Sequence, residues 1–148
     1  MTTKNNYNER LMQKAIKIVR KYHPNSEVLD GKKVKTGHIH HIFEKSTFPN
    51  IAGYLENLIA LTTGQHLENA HPNGNTHIND VLYQQVCLKA KSVSIEKALT
   101  NGDFIYSKND FIFVINTGFK WLGSNNEIKQ TDDFDVIKNQ IASYYKML

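Results

Sequence analysis

GHIHHIFEKSTFPNIAGYLENLIALTTGQHLENAHPNGNTH, running from Gly37 to His77, is the stretch that decides how this chain is read. It carries His38, His40, His41, His66, His71 and His77, six of the seven histidines. The pair His40-His41 is followed by Asn57 inside an apolar run, and then by His66 just past that run. An imidazole can take a proton from water near neutral pH. Imidazoles also hold divalent metal ions. A metal ion beside a general base is a minimal kit for hydrolysing a phosphodiester.

Working outward, Ser26 to Phe43 reads as a β-hairpin turning at Asp30-Gly31. Its outgoing arm, Lys33 to Ile42, delivers His38, His40 and His41. Glu44 to Gly53 holds Ser46, Pro49 and Asn50 and reads as a loop. Tyr54 to Leu61 (YLENLIAL) fits a strand or a helical turn, with Tyr54, Leu55, Leu58, Ile59 and Leu61 as core. Thr62-Thr63-Gly64 then reads as a turn and cap before a short helix bearing His66. The order is β-hairpin, loop, helix.

The flanks are mostly helical. Tyr7 to Tyr22 places Leu11, Ala15, Ile18 and Val19 at helix spacing, with Lys14, Lys17, Arg20 and Lys21 on the other face. His23-Pro24-Asn25 ends it, because the residue before proline avoids the helical region. Downstream, Pro72 to Thr76 (PNGNT) is a breaker. Asn79 to Leu99 predicts a helix with a break at Ser92, ended by Asn101-Gly102. Phe104 to Tyr106 and Phe111 to Asn116 are aromatic and β-branched, and Ser107 to Asp110 between them suggests a second hairpin. Asp135 to Leu148 predicts a terminal helix. No internal repeat or low-complexity run is present.

The predicted class is α+β. Residues 1–25 form an N-terminal helix, 26–78 the core unit, and 79–148 a helical and β-hairpin part for packing, DNA recognition or dimerisation. Together they make one compact domain with a soft boundary near Asn101-Gly102.

Composition narrows the setting. The chain has 148 residues, of which 40% are hydrophobic, enough for one core. No apolar run approaches the ~18–20 residues that span a bilayer, so no membrane partner is expected. MTTKNNYNER has no apolar segment after its charges, unlike a secretory signal. The single cysteine, Cys87, allows no internal disulfide and no CxxC…CxxC zinc cluster. A cytoplasmic location is the simplest expectation. The net charge of +4 and a pI near 9.1 lean toward an acidic partner such as nucleic acid.

HIHHIF…ENLIAL…QH resembles the HNH nucleases, also called ββα-metal nucleases. Their pattern is a His pair or Asp-His on a strand, an Asn in an "eNLi.L" run, and a His or Asn on the following helix. Asn57 lies sixteen positions after His41, and His66 nine positions after Asn57. The resemblance covers Gly37 to His77 and not the flanks. The longer string from His40 to Thr76 is similar to the HNH cores of small type II restriction endonucleases and related phage nucleases.

The resemblance implies a ββα-metal core over 26–78, with flanking helices and a C-terminal β-hairpin plus helix. It implies His41 as the general base, and Asn57 as the residue that orients His41 or braces the loop. His40, where the family often has Asp, and His66 would be the metal ligands. Adjacent strand residues point to opposite faces, so His40 and His41 can divide these jobs only where the strand bends.

The family's frequent "C..CH" is here Thr62-Thr63-Gly64-Gln65-His66, so no structural zinc is expected. One divalent ion is expected, magnesium first, with manganese or nickel as alternatives. Magnesium prefers oxygen ligands, whereas the others accept imidazole.

His71 follows His66 by five residues, off the α-helical face, and reads as an extra ligand or a phosphate contact. His38 alternates with His40 on one strand face and reads as hairpin packing or a further site residue. Lys33, Lys35 and Lys45 flank the hairpin as phosphate-tracking candidates, with His71 beside them. The implied activity is a double-stranded DNA endonuclease leaving 5′-phosphate ends, in its most specific form a type II restriction enzyme working as a homodimer. The alternatives are a low-specificity effector or phage nuclease, and a non-enzymatic DNA-binding module with the same shape.

Overall fold

The computed structural model describes residues 3–29, 31, 33–71 and 79–147, with side chains from Glu9 onward. Asp30, Lys32, the Pro72–Thr76 breaker, His77 and Leu148 lie outside the described residues. Helix α1 (Thr3–Tyr22) buries Met12, Ala15 and Val19, a stripe at spacings of three and four. Leu11 and Ile18, expected on that face, sit at its exposed margin. Ala15 and Val19 pack against Leu58 in a small apolar cluster.

The segment after α1 differs from the predicted hairpin. Its two arms meet at a single bridge, Asn25 to Lys35, flanked by bonds from Ser26 N to Val34 O (2.8 Å) and from Thr36 N to Pro24 O (3.0 Å). Gly31, at φ 87°, takes the left-handed conformation that a turn there requires. Beyond Thr36 the outgoing arm leaves the incoming one. It becomes strand β1 (His38–His41), which pairs antiparallel with β2 (Leu58–Leu61), matching His38 to Leu61 and His41 to Leu58.

All of β2 is buried. Leu58 faces the α1 cluster, while Ile59 and Leu61 enter the main core. A strand covered on both faces reads as an unbroken apolar run. That is why LIAL showed no alternation to mark it as a strand. A 3₁₀ turn, Leu55–Asn57, leads into β2.

Helix α2 (Val81–Thr100) is capped by Asp80, whose side chain accepts from Tyr83 N. The predicted break at Ser92 is absent: its hydroxyl donates to Lys89 O (2.7 Å), and the helix runs on. The predicted second hairpin is also replaced. Phe104 to Tyr106 is a turn, and Lys108–Trp121 is a helix, α3. Ser107 caps it by accepting from Asp110 N. Phe111, Ile115, Gly118 and Phe119 share its buried side at helical spacing. Burial of that stripe and a good cap override the strand preference of Phe, Ile and Val.

Helix α4 (Phe134–Lys146) is capped by Asp133 and lies against α2. The main core joins residues on both sides of Asn101-Gly102, from Val28 to Tyr145. Phe119 and Tyr144 stack within it at 3.8 Å. Gly118 lets α3 approach the Phe43 ring so closely that a Cβ would overlap the ring carbons. This seats the start of the loop that follows β1.

The observed class is α+β with a small two-stranded sheet and mostly helical surroundings. Among the described residues no helix is long and apolar enough to cross a membrane.

Candidate metal centre

Two short elements bring the histidines together. β1 alternates, so His38 and His40 project to one face. The segment after β2 is wound as a π-helix, Gln65–Ala70, with His71 as its extended C-cap. A π-helix bonds each residue to the one five positions on, so its turn is wider than an α-turn. The five-residue spacing that takes His71 off an α-helical face therefore turns it toward His66. Their Nε2 atoms stand 3.0 Å apart.

His40, His66 and His71 form the cluster. One ring nitrogen from each lies within 4.8 Å of the others. Ligand nitrogens held by one ion at about 2.0–2.1 Å stand roughly 3–4 Å apart, so small ring rotations suffice. His40 and His71 are buried and His66 is half-buried. Burial first, and the neighbouring imidazoles second, lower the His40 pKa to about 2 and that of His66 to about 4. Both rings are neutral at pH 7, the form in which an imidazole nitrogen can bind a cation.

His38 closes on the far side of His66, Nδ1 to Nδ1 at 2.7 Å. With His66 Nε2 turned to a metal, its Nδ1–H donates to His38. This fixes the tautomer and aims the ring.

His41 ends β1, where the chain bends into Ile42 and Phe43. The bend answers the problem of neighbouring strand residues. His40 and His41 both line one cleft of about 470 Å³, with Glu44, Lys45, Ser46, His66, His71 and Asn79 in the wall. His41 Nε2 lies 3.0 Å from Ala52 O. The neutral ring donates there, and among the described residues Nδ1 has no hydrogen bond and is left as the base. Burial lowers the His41 pKa, against a smaller opposing effect of the Ala52 bond. A neutral, oriented imidazole is what general base catalysis needs.

Asn57 is fully buried, and its side-chain hydrogen bonds go to Phe43 and Ile51 rather than to His41. Its Oδ1 accepts from Phe43 N (2.9 Å), and its Nδ2 donates to Phe43 O (3.1 Å) and Ile51 O (3.3 Å). Of its two expected roles, it performs the bracing one. It ties both ends of the loop whose next residue, Ala52, holds His41.

The lysines divide. Lys45 lines the cleft, 3.5 Å from Glu9. Lys33 lines a different cavity, with Tyr22, His23, Val93 and Lys97. Lys35 is exposed in the bridge with Asn25. The structure therefore gathers His38, His40, His41, His66, His71 and Lys45 at one place and leaves Lys33 elsewhere.

Sequence reading missed Asn79, which no local signal marks. Its Nδ2 donates to His41 O (2.9 Å) and Ile42 O (2.8 Å), pinning the end of β1. Comparison with protein-family models, with curated proteins and with solved structures gives no match to this chain.

Proposed function

We propose that this chain is a metal-dependent endonuclease of the HNH, or ββα-metal, kind acting on double-stranded DNA. The observation that carries the reading is the convergence of three imidazoles, His40, His66 and His71, with a separately held fourth, His41, in one cleft. Three ligands and a distinct base match a division of labour in phosphodiester hydrolysis. When bound, the ion supplies positive charge for the phosphate and the leaving 3′ oxygen.

His41 Nδ1 takes the proton from the attacking water, while Ala52 O holds the opposite ring nitrogen. His38 keeps His66 in the tautomer that presents Nε2. Asn57 and the Gly118–Phe43 contact keep the loop from letting Ala52 drift. Lys45 at the cleft wall attracts the phosphate backbone. Attack in line with the leaving oxygen yields 5′-phosphate and 3′-hydroxyl ends.

The donor set bears on the metal. An all-imidazole triad suits manganese or nickel better than magnesium, which favours oxygen. In its most specific form the enzyme is a type II restriction endonuclease whose two-fold dimer meets a palindrome.

The test is supercoiled plasmid incubated with magnesium, manganese, nickel or EDTA. Metal-dependent nicking and linearisation support the reading. No cleavage with any ion sinks it and leaves a DNA-binding module. Discrete fragments assign restriction, and a smear assigns a low-specificity nuclease.

A further inference from the structure

Asn79 stands just ahead of the Asp80 cap of α2 and is 8% exposed. Both hydrogen bonds of its amide go to backbone carbonyls where β1 ends, those of His41 and Ile42. These bonds fix which way the amide faces. Turned over, its oxygen would meet two carbonyl oxygens. In the fixed orientation Oδ1 is buried and has no hydrogen-bond partner among the described residues. Buried side-chain oxygens are nearly always paired, and an exception calls for a physical reason such as an ion. Asn79 lines the same cleft as His40, His66 and His71. The anchored amide therefore has one unsatisfied atom, an oxygen, in the cleft that the three imidazoles line.

We propose that Asn79 Oδ1 supplies an oxygen ligand to the ion held by His40, His66 and His71, making a three-nitrogen, one-oxygen set. The inference rests on the metal reading above. Its chemistry has a consequence for which ion works. A four-coordinate ion such as zinc would find every position filled by protein. A six-coordinate ion such as nickel would keep two positions for water and phosphate. Asn79 would also couple the site to its base, since the same amide holds the carbonyl of His41.

The experiment is calorimetric titration of chelator-stripped protein with nickel chloride, for the wild type, Asn79→Leu and Asn79→Asp, each checked for folding by circular dichroism. The expected result is a tenfold or greater loss of nickel affinity in Asn79→Leu, and affinity kept or raised in Asn79→Asp. A folded Asn79→Leu with wild-type affinity overturns the proposal. Should the leucine variant not fold, Asn79→Asp decides. Retained affinity without the two Nδ2 donations upholds the oxygen role, and a tenfold loss overturns it. A wild type that takes up no nickel instead overturns the metal reading itself, which separates the two failures.

Discussion

At the scale of single residues, burial keeps charge off His40, His41 and His66. Burial holds His41 below the ordinary histidine pKa and leaves it a free base at neutral pH. The acidic limb of kcat/KM should therefore lie below pH 6.5, read from cleavage rates across pH 4.5 to 8. The same burial has a cost for the metal-free fold. His40 and His66 titrate in the folded state near 2 and 4, but near 6.5 when unfolded. Between those values the unfolded chain binds more protons. Stability that is full above pH 6.5 should be lost progressively as pH falls toward 4. Thermal melts of metal-free protein across that window check the sign, and a midpoint that rises with acid would contradict it. His38 touches His66 on the nitrogen facing away from His71. His38→Ala should weaken nickel binding by about 10–100-fold, the usual effect of removing the partner that orients a ligand. Calorimetry reads this directly.

At the scale of elements, the π-wound turn decides the site. Removing one residue from such a turn returns it to α-winding, and α-winding places residues four apart on one face. Deleting the exposed Asn69 would make His66 and the present His71 neighbours at that spacing. The deletion should keep nickel affinity within about tenfold. Inserting an alanine after Asn69 should lower it by much more. Equal loss from both changes would contradict the geometric account.

The same turn shows where sequence reading stops. His40, His41 and His66 were legible because they sit on a strand and just past an apolar run. His71 stays open between ligand and phosphate contact in the sequence, because a five-residue spacing has meaning only once the winding is known. Asn79 gave no signal, because its partners are carbonyls of His41 and Ile42 on a distant strand. The α2 helix was legible from its length and its Asn101-Gly102 end. The α3 helix was misread because Phe111, Phe113, Val114 and Ile115 look strand-like locally, and only packing shows that their spacing is helical.

At the scale of the molecule, the histidine cleft is backed by a polar knot inside the core. Lys91 is fully buried, with its ammonium 3.1 Å from Glu27 and 2.7 Å from the Tyr106 hydroxyl. Glu27 also accepts from Ala60 N of β2 (2.7 Å), and Tyr106 meets His23 at the end of α1 (2.6 Å). Four segments are thus tied at one point behind β2. Lys91→Ala would leave Glu27 buried without its countercharge, and should cost about 3–5 kcal/mol in urea unfolding.

The central claim is that metal binding and proton abstraction belong to different histidines of one cleft. The most direct test measures both on His41→Ala, loaded with nickel and given supercoiled plasmid. The account predicts one ion bound at wild-type affinity with cleavage slowed by about 10²–10⁴-fold. Cleavage at the wild-type rate, or loss of the ion together with activity, would contradict it.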